Sequence, residues 1–332
     1  MQSVAGYMRA AICRAYGALD TVVVDKVPAP EAGAGQVVVD VAAAAVNFTD
    51  ILILQNRYQL SATPPFVPGS EFAGTVRSVG PGVDGVRVGQ RVCGVTLVGA
   101  FAEQVAVPAA SLTLLPDAVD LHAAAGFSVA YGTAYHALRS AARVQPRETL
   151  VVLGAAGGVG LAAVELGAVL GARVIAAASS DEKLAVCREQ GATDVVDYAR
   201  EPLKDRLKAL GGKRGVDVVL DPVGGPLAEQ ALRAVGWRGR FVSLGFASGE
   251  IPRIPLNLLL LKGAQLLAFN LGPFFVNEPE EAARNQRELQ DLFFAGRIRP
   301  HVDSIHPLAD TVKALARVAD RRAIGKVLIA IT

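Results

Sequence analysis

The chain has 332 residues, enough for two domains that each bury a core of their own. Its 33 basic and 31 acidic residues give a net charge of +2 with no block of one sign, which argues against nucleic acid as a partner. Hydrophobic residues make up 52% of it, yet no apolar run approaches the ~20 residues of a membrane span.

Up to about Pro116 the sequence reads as short β-rich segments, residues 36–41, 71–79 and 101–107 among them, punctuated by turns such as Gly80-Pro81-Gly82. That texture predicts a strand-rich, barrel-like domain. From Ala123 it gives way to Ala-rich helix and then to strands alternating with helices, the pattern of βαβ units and a parallel sheet. Residues 149–153 form an apolar strand. Residues 158–170 form a helix with Val159, Ala162, Ala163, Leu166 and Val169 on its buried face, and 173–178 form the next strand. A helix over 181–190 is stopped by Gly191. Strands follow at 195–197, 216–220 and 240–244, with helices over 203–210 and 226–235. Residues 256–271 are the most apolar stretch, but Asn257, Lys262, Gly263 and Gln265 interrupt it, which suits buried strand and interface rather than lipid. After a strand near 266–269, a charged helix over 278–295 leads to a strand pattern at 326–331 that returns to the first domain. The division expected is 1–127 with 266–332 for the β-rich domain, and 128–265 for the parallel-sheet domain.

Residues 1–9 lack the basic flank and apolar core of a secretory signal, so a cytoplasmic address is expected. Cys13, Cys93 and Cys187 are too widely spaced for a disulfide framework or a clustered zinc site and read as reduced, packed thiols.

The strand at 149–153 runs into Gly154-Ala155-Ala156-Gly157-Gly158-Val159-Gly160 and then a helix, the context that makes a Gly-rich turn a dinucleotide fingerprint. Gly157 lets the main chain approach a pyrophosphate, and Gly160 lets the helix pack on the strand. The turn and helix start at Ala156, Gly157, Gly158 and Val159 offer N–H groups and the positive end of a dipole. Ala155 stands where the usual pattern has its first glycine. An NAD site places Asp or Glu at the end of the second strand to accept from the ribose 2′-hydroxyl. Here that place falls on Ala178, followed by Ser179, Ser180 and Lys183, two hydroxyls and a cation suited to a 2′-phosphate, so NADPH is the cofactor expected. Asp181 and Glu182 are read as capping and charging the next helix.

With these residues in view, the chain resembles the medium-chain dehydrogenase/reductase superfamily, and within it the quinone oxidoreductases related to ζ-crystallin. The likeness rests on Ala45-Val46-Asn47-Phe48-Thr49-Asp50, Pro68-Gly69-Ser70-Glu71-Phe72-Ala73-Gly74, Val88-Gly89-Gln90-Arg91-Val92, the turn at 155–160, and Asp221-Pro222-Val223-Gly224-Gly225, and it covers nearly the whole length. It implies an α/β chain: a GroES-like β-rich catalytic domain plus a Rossmann doubly wound parallel-sheet domain, in a homodimer joined through the cofactor domains. Zinc-dependent members carry a metal-binding Cys where this chain has Asn47 and a His where it has Ser70, and the lobe with structural-zinc cysteines is missing after Gly99-Ala100-Phe101. Zinc-independent chemistry follows, with Glu71 paired to a nearby cation.

A metal-free reductase needs an acceptor that is itself electrophilic, a quinone or an α,β-unsaturated carbonyl compound. The resemblance places Asn47 near the nicotinamide ribose and the substrate oxygen, donating to developing charge, and Tyr58 along the same cleft as a carbonyl ligand or proton donor. The family's second Tyr, two residues after Asp50, is replaced by Leu52. Asn47 also fits a turn-ordering role, Asp50 a helix cap and Tyr58 simple packing. The resemblance further implies that Thr133 faces the nicotinamide, Tyr198 flanks the adenosine, and Leu244 with Phe246 meets the cofactor at a strand end. It also implies that Phe269 and Leu271 close the nicotinamide pocket and that Lys326 touches it from the C-terminal return. His122, His136, His301 and His306 match no ligand position and no Ser-His pair, and are read as structural. An enoyl reductase acting on an enone or acyl-thioester, and a non-catalytic NADPH-binding protein like the lens crystallins recruited from this family, remain alternatives.

Overall fold

A computed structural model describes residues 6–331; residues 1–5, part of the stretch read above for a leader, and Thr332 lie outside the described residues. Two compact units divide it. One takes the described residues up to Val129 and those from Pro300 on, and the other runs Ala130–Arg299.

The first unit opens with β1 (Tyr7–Cys13) paired antiparallel to β2 (Val22–Pro28). Then come β3 (Gln36–Val46), α1 (Phe48–Leu54), β4 (Glu71–Val79), β5 (Arg91–Val95), β6 (Gln104–Pro108), β7 (Leu112–Leu114) and α2 (Leu121–Ala125). β3 is the hub: it pairs antiparallel with β4 and with β6. Its Val37, Val39 and Val41 are buried, packed with Phe72, Val92 and Phe101 in one core. Val38 is buried as well, so both faces of β3 are covered along this part, and each fully buried Val or Phe contributes roughly 1.5–3 kcal/mol.

The chain passes into the second unit along α3 (Ser128–His136). There β8 (Thr149–Leu153), α4 (Gly158–Val169), β9 (Arg173–Ala178), α5 (Asp181–Glu189) and β10 (Asp194–Asp197) form the first half of a parallel sheet. α6 (Leu203–Gly211), β11 (Val216–Asp221), α7 (Gly225–Leu232), β12 (Val235–Ser243), α8 (Leu256–Lys262) and β13 (Gln265–Ala268) form the second half. The strand order is β10-β9-β8-β11-β12-β13, all pairs parallel, the doubly wound Rossmann arrangement. Leu150, Val151, Val152 and Leu153, and Val218, Val219 and Leu220, are wholly buried, as central strands covered on both faces must be.

α9 (Leu271–Asn277) and α10 (Pro279–Phe294) complete this unit. The chain then returns to the first unit through β14 (Val302–Pro307), α11 (Thr311–Ala319) and β15 (Lys326–Ala330), and β15 pairs antiparallel with β3. The first unit's larger sheet runs β14-β15-β3-β4-β5-β7.

Two expectations need correcting. The return comes at Pro300 rather than at 266, because β13 pairs with β12 and α10 is tied to α3 by a hydrogen bond from Tyr135 to Glu288 (2.7 Å). The stretch 256–271, read as buried strand and interface, begins as the helix α8 before the short strand β13, and Leu256, Leu260, Leu261 and Leu266 are exposed while Leu258 and Phe269 are buried.

Candidate functional site

In the second unit the Gly-rich turn is built almost entirely from backbone. Gly154 takes a left-handed φ of +56°, and a Cβ there would lie 2.6 Å from the Val223 side chain. Ala155 N–H donates to Ala177 O (3.0 Å), tying the turn to β9. A Cβ on Gly160 would lie 2.3 Å from Gly154 O, so the first turn of α4 presses on the end of β8 as the spacing predicts. Gly157 caps α4 with its own N–H turned back to Gly154 O (3.0 Å), and no side chain satisfies the N–H groups after it, so Gly158 and Val159 present donors beside Ala156.

At the end of β9, Ala178 O accepts from Tyr198 N–H (3.1 Å), which draws Tyr198 to the strand end. Lys183 Nζ donates to Ser179 Oγ (3.3 Å), and Ser180 Oγ accepts from Lys183 N–H (3.4 Å), capping α5. One hydroxyl is thus beside an ammonium, while the other serves the helix. Arg200, which the sequence reading passes over, pairs with Asp181 (2.6 Å) and Asp197 (3.4 Å) and offsets the two carboxylates that crowd this corner. Its distance from the Gly-rich turn hides it, since only the β9-β10 pairing carries it here.

The sheet's far half supplies the next residues. Asp221, wholly buried at the end of β11, accepts on Oδ1 from Val223 and Gly224 N–H (2.8 and 2.9 Å), and burial pushes its carboxyl up. Leu244 N–H donates to Asp221 O (2.8 Å), placing Leu244 and the partly exposed Phe246 at the same edge. Phe269 N–H donates to Ser243 O (3.1 Å), and its ring lies 6.5 Å from His136 and 5.2 Å from Phe274. Leu271 packs against Gly132 beside Thr133 on α3, so Thr133, Phe269 and Leu271 gather around one helix. His136 is held between the carbonyls of Gly132 (2.8 Å) and Ala282 (3.3 Å).

The first unit holds a second group, drawn from α1, β4 and β15. Lys326 Nζ donates to Asn47 Oδ1 (2.7 Å) and to Glu71 Oε2 (3.1 Å); Asn47 Nδ2 donates to the same Glu71 oxygen (3.1 Å). Glu71 Oε1 accepts from Val129 N–H (2.8 Å). Glu71 is fully buried and Lys326 nearly so, which makes this a desolvated ion pair. The cation expected beside Glu71 is therefore Lys326, a residue the sequence assigns only to the cofactor. Asp50 Oδ2 accepts from Asn47 N–H (2.7 Å) at the start of α1, in the manner of a capping box. Burial pushes the Asp50 carboxyl up to about 6; the Asn47 N–H, the Ser70 hydroxyl and the Lys326 charge oppose that rise, and the Glu71 charge adds to it. Tyr58 is half-buried beyond α1 and makes no hydrogen bond to this group.

Among the described residues no three His, Cys, Asp or Glu side chains come together as metal ligands. Cys13, Cys93 and Cys187 are buried free thiols, and burial pushes Cys93 and Cys187 up to about 12. One sequence expectation fails: His306 Nε2 does meet a serine, Ser304 Oγ, at 3.1 Å. The Ser304 hydroxyl also contacts Asp303, which Arg317 binds through Oδ1 at 2.9 Å, so the chain of contacts is a polar brace on β14.

Residues 33–117 match the alcohol dehydrogenase GroES-like domain and residues 158–286 the zinc-binding dehydrogenase domain. A quinone oxidoreductase-like protein 2 homolog from Nematostella vectensis is 37% identical, over 97% of this chain and 88% of that protein. Among solved structures, Escherichia coli quinone oxidoreductase complexed with NADPH aligns with a TM-score of 0.90 at 28% identity, covering 98% of this chain and 100% of that one. A mycobacterial protein complexed with NADPH aligns with a TM-score of 0.90 at 32% identity and the same coverage.

Proposed function

From the premise that this chain belongs to the medium-chain dehydrogenase/reductase superfamily, in its ζ-crystallin-like quinone oxidoreductase family, we propose that it is an NADPH-dependent reductase. It passes a hydride to a quinone or another conjugated carbonyl compound and uses no metal. The observation that carries this reading is the Lys183 ammonium 3.3 Å from the Ser179 hydroxyl at the end of β9, where an NAD site would carry a carboxylate. The solved relatives complexed with NADPH support it.

The start of α4, with the Gly158 and Val159 N–H groups beyond its Gly157 cap, would receive the pyrophosphate next to Ala156, while Ser179 and Lys183 would hold the 2′-phosphate with Ser180 ordering the helix behind them. Tyr198 flanks the adenosine. Thr133, Leu244, Phe246, Phe269 and Leu271 enclose the nicotinamide end. The reduced nicotinamide supplies the hydride. As it arrives, negative charge grows on the acceptor oxygen, and the Asn47 amide donates a hydrogen bond to it. Tyr58, half-buried and not engaged with the polar group, gives the proton that completes the reduction.

The same reading makes the protein a cytoplasmic homodimer. Among the described residues β13 pairs on one side only, with β12, and Trp237, Leu256, Leu260, Leu261 and Leu266 are exposed. An open parallel edge with exposed leucines is suited to a second copy of this chain. No helix among the described residues is long and apolar enough to cross a membrane.

The test is a panel with purified protein and NADPH, followed at the nicotinamide absorbance, against naphthoquinone, phenanthrenequinone, a simple enone and an acryloyl thioester. Quinone-dependent oxidation that persists in chelator is the expected result. Saturable NADPH binding without turnover on any acceptor sinks the reductase reading, and sedimentation as a monomer sinks the dimer.

A further inference from the structure

We infer that Lys326 is a positioning residue for Asn47: it fixes the orientation of the amide and polarises it for donation to the acceptor oxygen. The inference rests on the proposed reductase reading.

Stability alone does not call for this lysine. An ion pair sealed from water loses hydration that its mutual attraction seldom repays, and apolar residues of the same size commonly serve the fold as well or better. Here the side chains of Lys326 and Glu71 are 4% and 0% exposed. The chain nonetheless makes room for the lysine. A Cβ on Gly126 would lie 3.1 and 3.3 Å from Lys326 Cγ and Cβ, so the glycine leaves a channel for the aliphatic stem.

The contacts close a ring: ammonium to amide oxygen at 2.7 Å, amide nitrogen to carboxylate at 3.1 Å, and ammonium to the same carboxylate oxygen at 3.1 Å. An ammonium has only donors, so it can donate only to the oxygen end of the amide, and Asn47 is locked with Nδ2 turned to Glu71. A positive charge on the amide oxygen draws electron density from the nitrogen and strengthens both N–H groups as donors. One of these N–H groups serves Glu71. The remaining contacts of Nδ2, to Ser70 Oγ at 3.4 Å and Ala45 O at 3.5 Å, lie at the outer limit of a hydrogen bond. The second N–H is therefore well polarised and weakly held, the condition for a donor that waits for charge to develop. Asn47 and Ser70, each 8% exposed, are the least sealed members of the group.

The test compares wild type with Lys326→Met and with the double variant Lys326→Met/Glu71→Gln, which removes both charges and leaves none stranded if the single variant fails to fold. The expected result is a fall in kcat of roughly 10²-fold in both, with KM for the acceptor and the NADPH dissociation constant each within about twofold of wild type. In ¹⁵N-resolved spectra of the double variant, the Asn47 side-chain amide protons shift upfield. Unchanged kcat and unchanged amide shifts overturn the inference while wild-type turnover keeps the reductase reading intact. A loss of NADPH binding with kcat preserved at saturation overturns it too and makes Lys326 a cofactor contact. Wild-type protein that turns over no acceptor overturns the proposed function and this inference together.

Discussion

The Gly-rich turn of the second unit and the Asn47 group of the first do their work with different materials. The turn is one short run of chain whose parts are backbone N–H groups and missing side chains: Gly154 left-handed, Gly160 against Gly154 O. The Asn47 group is made of side-chain charges brought together across 255 and 279 residues of sequence. A local site built from backbone gives up binding first when it is altered, and stability to a lesser degree. An assembled, desolvated site has its function and its stability in the same bonds.

Glu71→Ala separates the two most sharply. It strands the Lys326 ammonium in a place without water and removes the acceptor of the Val129 N–H, and breaking a buried pair from one side costs about 3–5 kcal/mol. The expected outcome is a fall of that size in urea-unfolding free energy. A loss below about 1 kcal/mol breaks the comparison, because the group would then hold its charges without depending on one another.

Asp50 gives a pH signature. Its carboxyl is pushed from the ordinary 3.8 up to about 6 by burial, so the folded protein binds this proton more tightly than the unfolded chain does. This contribution is therefore fully present below about 3.8 and is lost as pH rises through about 6, by up to about 3 kcal/mol. Asp50→Asn abolishes that loss: the variant gains stability on wild type at pH 7.5 and little at pH 4. Melting curves at the two pH values check it, and an equal difference at both means that the Asn47 N–H, the Ser70 hydroxyl and the Lys326 charge together cancel the desolvation.

The same division explains what the sequence discloses. β8, the turn, α4 and β9 are consecutive, so period and punctuation reveal them together with Ser179 and Lys183. Lys326 stands out in sequence only as a cation at the start of the returning strand, and its bonds to Asn47 and Glu71 exist only once β15 pairs with β3. Arg200 is hidden for a similar reason, since β9-β10 pairing rather than spacing brings it to Asp181. The misplaced return at 266 has the same root: nothing in Gln265–Ala268 says which strand it will join, and pairing with β12 decides it. Tyr58 shows the opposite limit. The resemblance assigns it a place in the cleft, yet no described residue engages its hydroxyl through a side-chain hydrogen bond.

Gly160→Ala probes the turn itself. A methyl group 2.3 Å from Gly154 O meets backbone, which yields only if α4 moves off the strand, and such overpacking costs typically 1–3 kcal/mol. The displaced helix start carries its N–H groups away from the pyrophosphate, so NADPH and NADH are weakened alike, about tenfold or more. Fluorescence titration with both nucleotides reads the outcome, and discrimination between the two would mean that this turn senses the 2′-phosphate.

At the corner beyond β9 the effects become smaller and more selective. On the proposed reading Lys183→Ala removes one charge-assisted contact to the 2′-phosphate, about 1.5–3 kcal/mol, and so weakens NADPH at least tenfold with NADH unchanged and global stability within about 0.5 kcal/mol. Equal weakening of both nucleotides removes the phosphate assignment. Arg200→Ala is subtler, because the guanidinium pairs with Asp181 and Asp197 rather than with the Ser179–Lys183 hydroxyl and ammonium. Its loss exposes two carboxylate charges to the incoming phosphate, so NADPH affinity falls by a few-fold, chiefly through the association rate. The deficit shrinks as salt rises toward 1 M, where charges more than about 3 Å apart no longer sense each other through solvent. Stopped-flow binding at two ionic strengths decides it: a deficit that ignores salt means that Arg200 touches the phosphate directly and belongs with Lys183.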